Sequence, residues 1–158
     1  MIYLECYADE ALVKAFGITS KEIKHAFSKG EVCNMLRKAN DAVGIVDEDP
    51  AAGKSAYEKQ MLQRIVYEDD KLIFCKDDSC DNRLILIRPR LEEFILRIVK
   101  ENGFNMESYK LSGVPKRLHD ELMFRRNQQK FADLNRLLTD LLARRVKTII
   151  KLKEFITE

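Results

Sequence analysis

The sequence predicts an α/β fold built on a mainly parallel, four-stranded sheet. Three observations carry this reading. Short runs rich in β-branched and aliphatic residues, at 2–5, 42–46, 71–76 and 83–88, are separated by segments whose apolar residues recur at helical spacing. Strands that alternate with helices belong to sheets covered on both faces. Beyond residue 112 there are only helical patterns, so the α/β part is expected to be confined to the first two thirds of the chain.

Residues 2–5 read as the first strand. Asp9 opens a helix with Ala11, Leu12, Ala15 and Phe16 on its apolar side, and Gly17 closes it. Thr19 and Glu22 have capping-box spacing, which predicts a second helix as far as about Ser28. Gly30 precedes a third, with Val32, Leu36 and Ala39 inward. Residues 42–46 form the second strand, an apolar run that stops at Asp47, Glu48 and Asp49; Pro50 then fixes φ, and Gly53 is expected to permit a tight backbone path. Tyr57, Met61, Leu62 and Ile65 predict a helix over 55–67. The third and fourth strands flank a polar turn at 77–82. Leu91, Phe94, Ile95, Ile98 and Val99 predict a helix closed by Gly103, and 104–114 reads as a loop. Leu134, Leu137, Leu138, Leu141 and Leu142 then form an apolar stripe, continued by Val146, Ile149, Ile150 and Phe155. The expected organisation is an α/β core over 1–111 and a basic helical extension over 112–158, packed on the core or on a second copy.

Composition narrows the function. The chain has 158 residues, 46% hydrophobic and 34% charged, and no apolar stretch approaches the roughly 18 residues of a membrane helix. The first residues carry no basic region or long apolar segment, so no signal peptide is expected and the expected location is cytoplasmic. Cys6, Cys33, Cys75 and Cys80 form no C-x-x-C pair and lie far from His25 and His119, which argues against structural zinc. Cys6 and Cys33 read as small core residues, and Cys75 and Cys80 flank the acidic turn as reduced thiols. The net charge of +2 hides an asymmetry: residues 112–158 carry eleven Lys or Arg against six Asp or Glu. An acidic core beside a basic tail points to a polyanion as partner.

The chemistry centres on carboxylates at strand ends. Glu5 ends the first strand as Asp47 ends the second; Asp9 comes four residues after Glu5, and Asp49 shares a side with Asp47 in an extended segment. If the two strands are neighbours, Glu5, Asp9, Asp47 and Asp49 converge on one edge and offer oxygen ligands to Mg2+ or Mn2+. Glu5 is also placed to act as a general acid or base if like charges raise its pKa. The alternative is that Asp47 and Asp49 simply end a strand and begin a turn.

At these residues the chain resembles a known family. Glu-Cys-Tyr-Ala-Asp at 5–9, with a helix after it, is similar to the first motif of TOPRIM domains, in which a strand-end Glu precedes a helix. Asp47-Glu48-Asp49-Pro50-Ala51-Ala52-Gly53 is similar to the second, D-x-D-x-x-G. The resemblance covers about residues 1–100 and implies a Rossmann-like core with a magnesium site for phosphodiester chemistry, Glu5, Asp47 and Asp49 being the catalytic residues. Cys6 stands where the family usually has Gly, and no topoisomerase tyrosine region or primase zinc module is present. The small format resembles the nuclease-type TOPRIM of the overcoming-lysogenization-defect proteins, which implies a separate ATPase as a candidate partner. Residues 91–94, Leu-Glu-Glu-Phe, resemble an acidic segment of some small members and add Glu92; the alternative for Glu92 is an exposed helix-start acid favoured by the dipole. Gly53-Lys54-Ser55 resembles the end of a phosphate-binding loop, but Glu48 occupies the position of its first glycine, so no such ATPase is expected.

Three functions compete. The first is metal-dependent cleavage or nicking of nucleic acid, DNA ahead of RNA, with Lys54, Arg125, Arg126, Lys130, Arg144, Arg145 and Lys147 holding phosphates. The second is a non-catalytic nucleic-acid-binding or regulatory subunit. The third is a protein-interaction module, homodimeric or otherwise, that docks through the leucine stripe.

Overall fold

The computed structural model describes residues 1–123 and 127–158. The described residues form an α/β protein with six strands and seven α-helices: β1 (Ile2–Leu4), α1 (Tyr7–Ala15), β2 (Ile23–His25), α2 (Lys29–Arg37), β3 (Val43–Asp47), α3 (Ala56–Met61), β4 (Ile65–Glu68), β5 (Leu72–Asp77), β6 (Asn82–Ile87), α4 (Leu91–Glu101), α5 (Pro115–Leu122), α6 (Gln128–Ala143) and α7 (Lys147–Thr157). They gather into two compact units. One comprises residues 1–6 and 19–90, the other residues 7–18 and 91–158. The boundary anticipated at residue 112 falls inside the second unit.

The first unit holds one mixed sheet in the order β2-β1-β3-β6-β5-β4. β2, β1, β3 and β6 run parallel, with Ile2 opposite Val43 and Val43 opposite Arg83; β5 is antiparallel to both β6 and β4. One face packs on α2 and α3, where Val32, Leu36, Tyr57 and Met61 meet Val46, Ile73, Leu84 and Leu86. Gly44 makes this close packing possible. A Cβ there would lie 3.0 Å from Val32 Cγ1, 3.1 Å from Leu36 Cδ2 and 3.3 Å from Leu84 Cδ1. Asn82, fully buried, locks the end of α2 to the sheet: its Nδ2 donates to the Leu36 carbonyl at 2.7 Å and the Ala39 carbonyl at 2.9 Å.

Two strands correct the four-stranded expectation. The Thr19–Glu22 box forms, the Glu22 carboxylate accepting the Thr19 N–H at 3.0 Å, but it caps only a 3-10 turn at Ser20–Glu22. Ile23, Lys24 and His25 then pair with Ile2, Tyr3 and Leu4, because the open edge of β1 offers three residues more backbone hydrogen bonds than a short isolated helix does. Likewise α3 ends at Met61, and residues 65–68 become the edge strand β4 instead of helix. Gly53 needs no special backbone: it has no positive φ, and a Cβ there would meet open space.

The second unit is helical. α6 packs against α1, α5 and α7. Leu134, Leu137, Leu138 and Leu141 are 0% exposed within the single chain, and Leu142 is half-buried. The stripe therefore fills this unit's own core and is not an exposed surface of the single chain. Residues 104–114, expected as loop, contain a 3-10 turn at Met106–Tyr109. Glu92 is buried, not exposed: its Oε1 lies 2.8 Å from His119 Nδ1, which joins α4 to α5. All four cysteines are free thiols; Cys33 and Cys75 are buried, whereas Cys6, expected in the core, is half-buried.

Candidate functional site

The strand order defines an edge. From β1 the chain moves outward to β2; from β3 it crosses in the other direction to β4 at the far edge and returns through β5 to β6. The adjacent strands β1 and β3 therefore flank the point where the winding reverses, and open α/β sheets bind ligands beyond the carboxyl ends of such strands. Glu5 comes directly after β1, and Asp47 is the last residue of β3. Their parallel pairing brings both to the same edge.

The two are in direct contact. Glu5 Oε2 accepts the backbone N–H of Asp47 at 2.7 Å. Beyond Asp47 the chain is held to the end of β6: Glu48 N–H donates to the Ile87 carbonyl at 2.8 Å, and Asp49 N–H to the Pro89 carbonyl at 3.0 Å. Asp49 itself adopts φ +35°, outside the usual range of a side-chain-bearing residue. Burial is the main cause that pushes the Glu5 carboxyl above the usual carboxylate range, with repulsion from Asp49 and Glu58 in support; the Asp47 N–H and the Lys29 ammonium act in the opposite sense.

Four residues that sequence reasoning missed complete this edge. Lys29, at the start of α2, donates from Nζ to the Glu48 carbonyl at 2.7 Å and to Glu58 Oε1 at 3.2 Å. Glu58 lies wholly enclosed on α3. Arg88 pairs with Glu48 Oε1 at 3.1 Å and Glu68 Oε1 at 2.7 Å, and Arg90 with Asp49 Oδ1 at 3.0 Å. These partners lie 19 to 41 residues apart in sequence, so only the sheet topology brings them together. Cys33, near the same charges, is held in its thiol form chiefly by burial, and Cys75, pushed up to about 12 by burial, is equally unreactive.

The other candidates are spread over both units. Asp9 belongs to the second unit, at the start of α1, and is 3% exposed. Lys54 is exposed just before Ser55, whose hydroxyl caps α3. In the second unit Lys130 contacts the Lys110 carbonyl and lies 3.9 Å from Glu121, Arg144 sits over the Phe104 ring at 5.5 Å, and Arg145 and Lys147 are exposed. Arg125 and Arg126 lie outside the described residues.

The donor set of the edge, Glu5, Asp47 and Asp49, consists of hard oxygens, which is the chemistry magnesium and manganese require. The enclosed Glu58, whose Oε1 pairs with Lys29, leaves its Oε2 without a hydrogen-bond partner in the same neighbourhood. The residues fit such an ion by chemistry. As they stand they do not form a closed cage: among the described residues no group of three or more His, Cys, Asp or Glu side chains converges as metal ligands. Glu5 Oε2 is turned to the Asp47 amide and Asp49 Oδ1 to Arg90.

Compared with protein-family models, curated proteins and solved structures, the chain matches none. Among the described residues, no helix is long and apolar enough to cross a membrane.

Proposed function

We propose that this chain is a TOPRIM-like, divalent-metal-dependent phosphodiesterase that cleaves or nicks nucleic acid at the carboxyl edge of β1 and β3. The observation that carries the reading is the contact between Glu5 and the Asp47 amide at the winding reversal of the sheet. Glu5, Asp47 and Asp49 would hold Mg2+ or Mn2+. Such an ion, when bound, neutralises a phosphate and lowers the pKa of a bound water. The raised affinity of Glu5 for a proton suits it to accept or return one at the edge as a general acid or base. The Asp49 backbone is anchored to the Pro89 carbonyl, and its Oδ1 would exchange Arg90 for the ion. Exposed Lys54, on the same unit as the edge, supplies a cation for backbone phosphates.

A second reading has one observation in its favour. Arg88 and Arg90 already neutralise Glu48 and Asp49, as in a site that keeps its fold and binds nucleic acid without cutting it. Mn2+ calorimetry on the wild-type chain and on Asp47→Asn and Asp49→Asn tests the ion that the first reading requires, with uptake that weakens sharply in both variants; incubation of nucleic acid with the chain and Mn2+ separates the readings, because the second predicts binding without cleavage.

A further inference from the structure

Glu58 is the most deeply enclosed acid of the first unit, with 0% exposure, and only one of its oxygens is satisfied. A carboxylate in that position is strongly unfavourable without a cation. Lys29 is that cation, and its side chain is itself only 10% exposed. The same ammonium donates to the Glu48 carbonyl, on the peptide that joins Glu48 to Asp49. One charge therefore does two things: it compensates a buried acid on α3 and grips the backbone of the turn that carries the two aspartates.

We propose that Lys29, anchored by Glu58, is the resident cation of the acidic edge, a positioning residue that fixes the turn at 47–49 and restrains the affinity of the edge for a divalent ion. This inference rests on the metal-dependent reading above. Its logic is electrostatic. Arg90 already pairs with Asp49, but Glu58 is enclosed and has Lys29 as its cation, and Glu5 feels both; the tethered ammonium keeps this part of the edge folded at any metal concentration. The same tethered charge repels an arriving divalent ion. Removing it should thus have two opposed effects, lower stability and tighter ion binding. A residue with a purely structural role would lose both together.

The test uses the intact chain as Lys29→Met, Glu58→Gln and the double variant, with melting in chelator and Mn2+ titration by calorimetry. Lys29→Met alone should lower Tm by on the order of 10 °C, as expected when a buried acid loses its partner. The double variant should recover at least half of that loss. Glu58→Gln and the double variant both lack the buried anion and differ only at residue 29, where Glu58→Gln keeps the ammonium and its hydrogen bond to the Glu48 carbonyl; a cooperative melt of each establishes that it is folded before titration. The double variant should bind Mn2+ more tightly than Glu58→Gln, on the order of tenfold. Equal or weaker binding in the double variant overturns the resident-cation role, as does the absence of any recovery of Tm. If wild type takes up no Mn2+ while the recovery of Tm persists, the metal-dependent reading fails, and the restraint on ion affinity fails with it.

Discussion

Glu5 Oε2 and the backbone N–H of Asp47 are 2.7 Å apart, a contact that joins residues 42 positions apart in the chain. It exists because β1 and β3 are parallel neighbours whose connections leave on opposite sides, so both strand ends open onto the same edge. The contact uses one Glu5 oxygen and leaves the burial of its charge incompletely compensated, which is why its pKa rises even though an amide donates to it.

That rise has a pH signature. The folded chain holds the Glu5 proton more tightly than the unfolded chain does. This group therefore favours folding at low pH, and its contribution is lost as pH rises from the ordinary glutamate range through the folded value. Glu5→Gln removes the titration and can still accept the Asp47 amide. In chelator, its Tm relative to wild type should become more favourable between pH 4 and pH 7. A difference that is constant across that range would contradict the electrostatic account of Glu5.

Gly44 tests the packing that positions the edge. Three side chains crowd the place of its absent Cβ, from α2 and from β6. Gly44→Val should cost about 1–3 kcal/mol through overpacking, read as a lowered midpoint in urea with an unchanged slope. Wild-type stability in this variant would mean that α2 does not lie this close to β3.

How much of this is legible in the sequence depends on the range of the cause. The β3 run, its acidic stop and the apolar spacing of α4 are local patterns, and each is readable because burial imposes the period directly. The segment at 23–25 misleads because its capping box is real but governs only one turn; the conformation of Ile23, Lys24 and His25 is decided by the neighbouring strand β1. Glu58 is invisible for another reason. Between Tyr57 and Lys59 on a short helix it looks like any polar position, and only Lys29, 29 residues earlier, makes its burial tolerable. Glu92 is a similar case, since its partner His119 comes from a later helix. Acids at strand ends announce themselves; the cations that hold them do not.

The leucine stripe gives a prediction about association. Leu138 is 0% exposed within one chain, so Leu138→Ala should destabilise by about 2–5 kcal/mol through the cavity it leaves. The Tm of wild type and variant should not change with protein concentration, since the stripe is satisfied internally. A Tm that climbs with concentration would instead place a second copy on this helix.

The most direct test of the central claim is cleavage itself. Wild-type protein, Glu5→Gln and Asp47→Asn are incubated with single- and double-stranded DNA and RNA, with Mn2+ and with chelator. The account predicts slow cleavage or nicking of at least one substrate by wild type, dependent on Mn2+ and lost in both variants. Four intact substrates after incubation with wild type and Mn2+, or cleavage that survives in Glu5→Gln and Asp47→Asn, would contradict it.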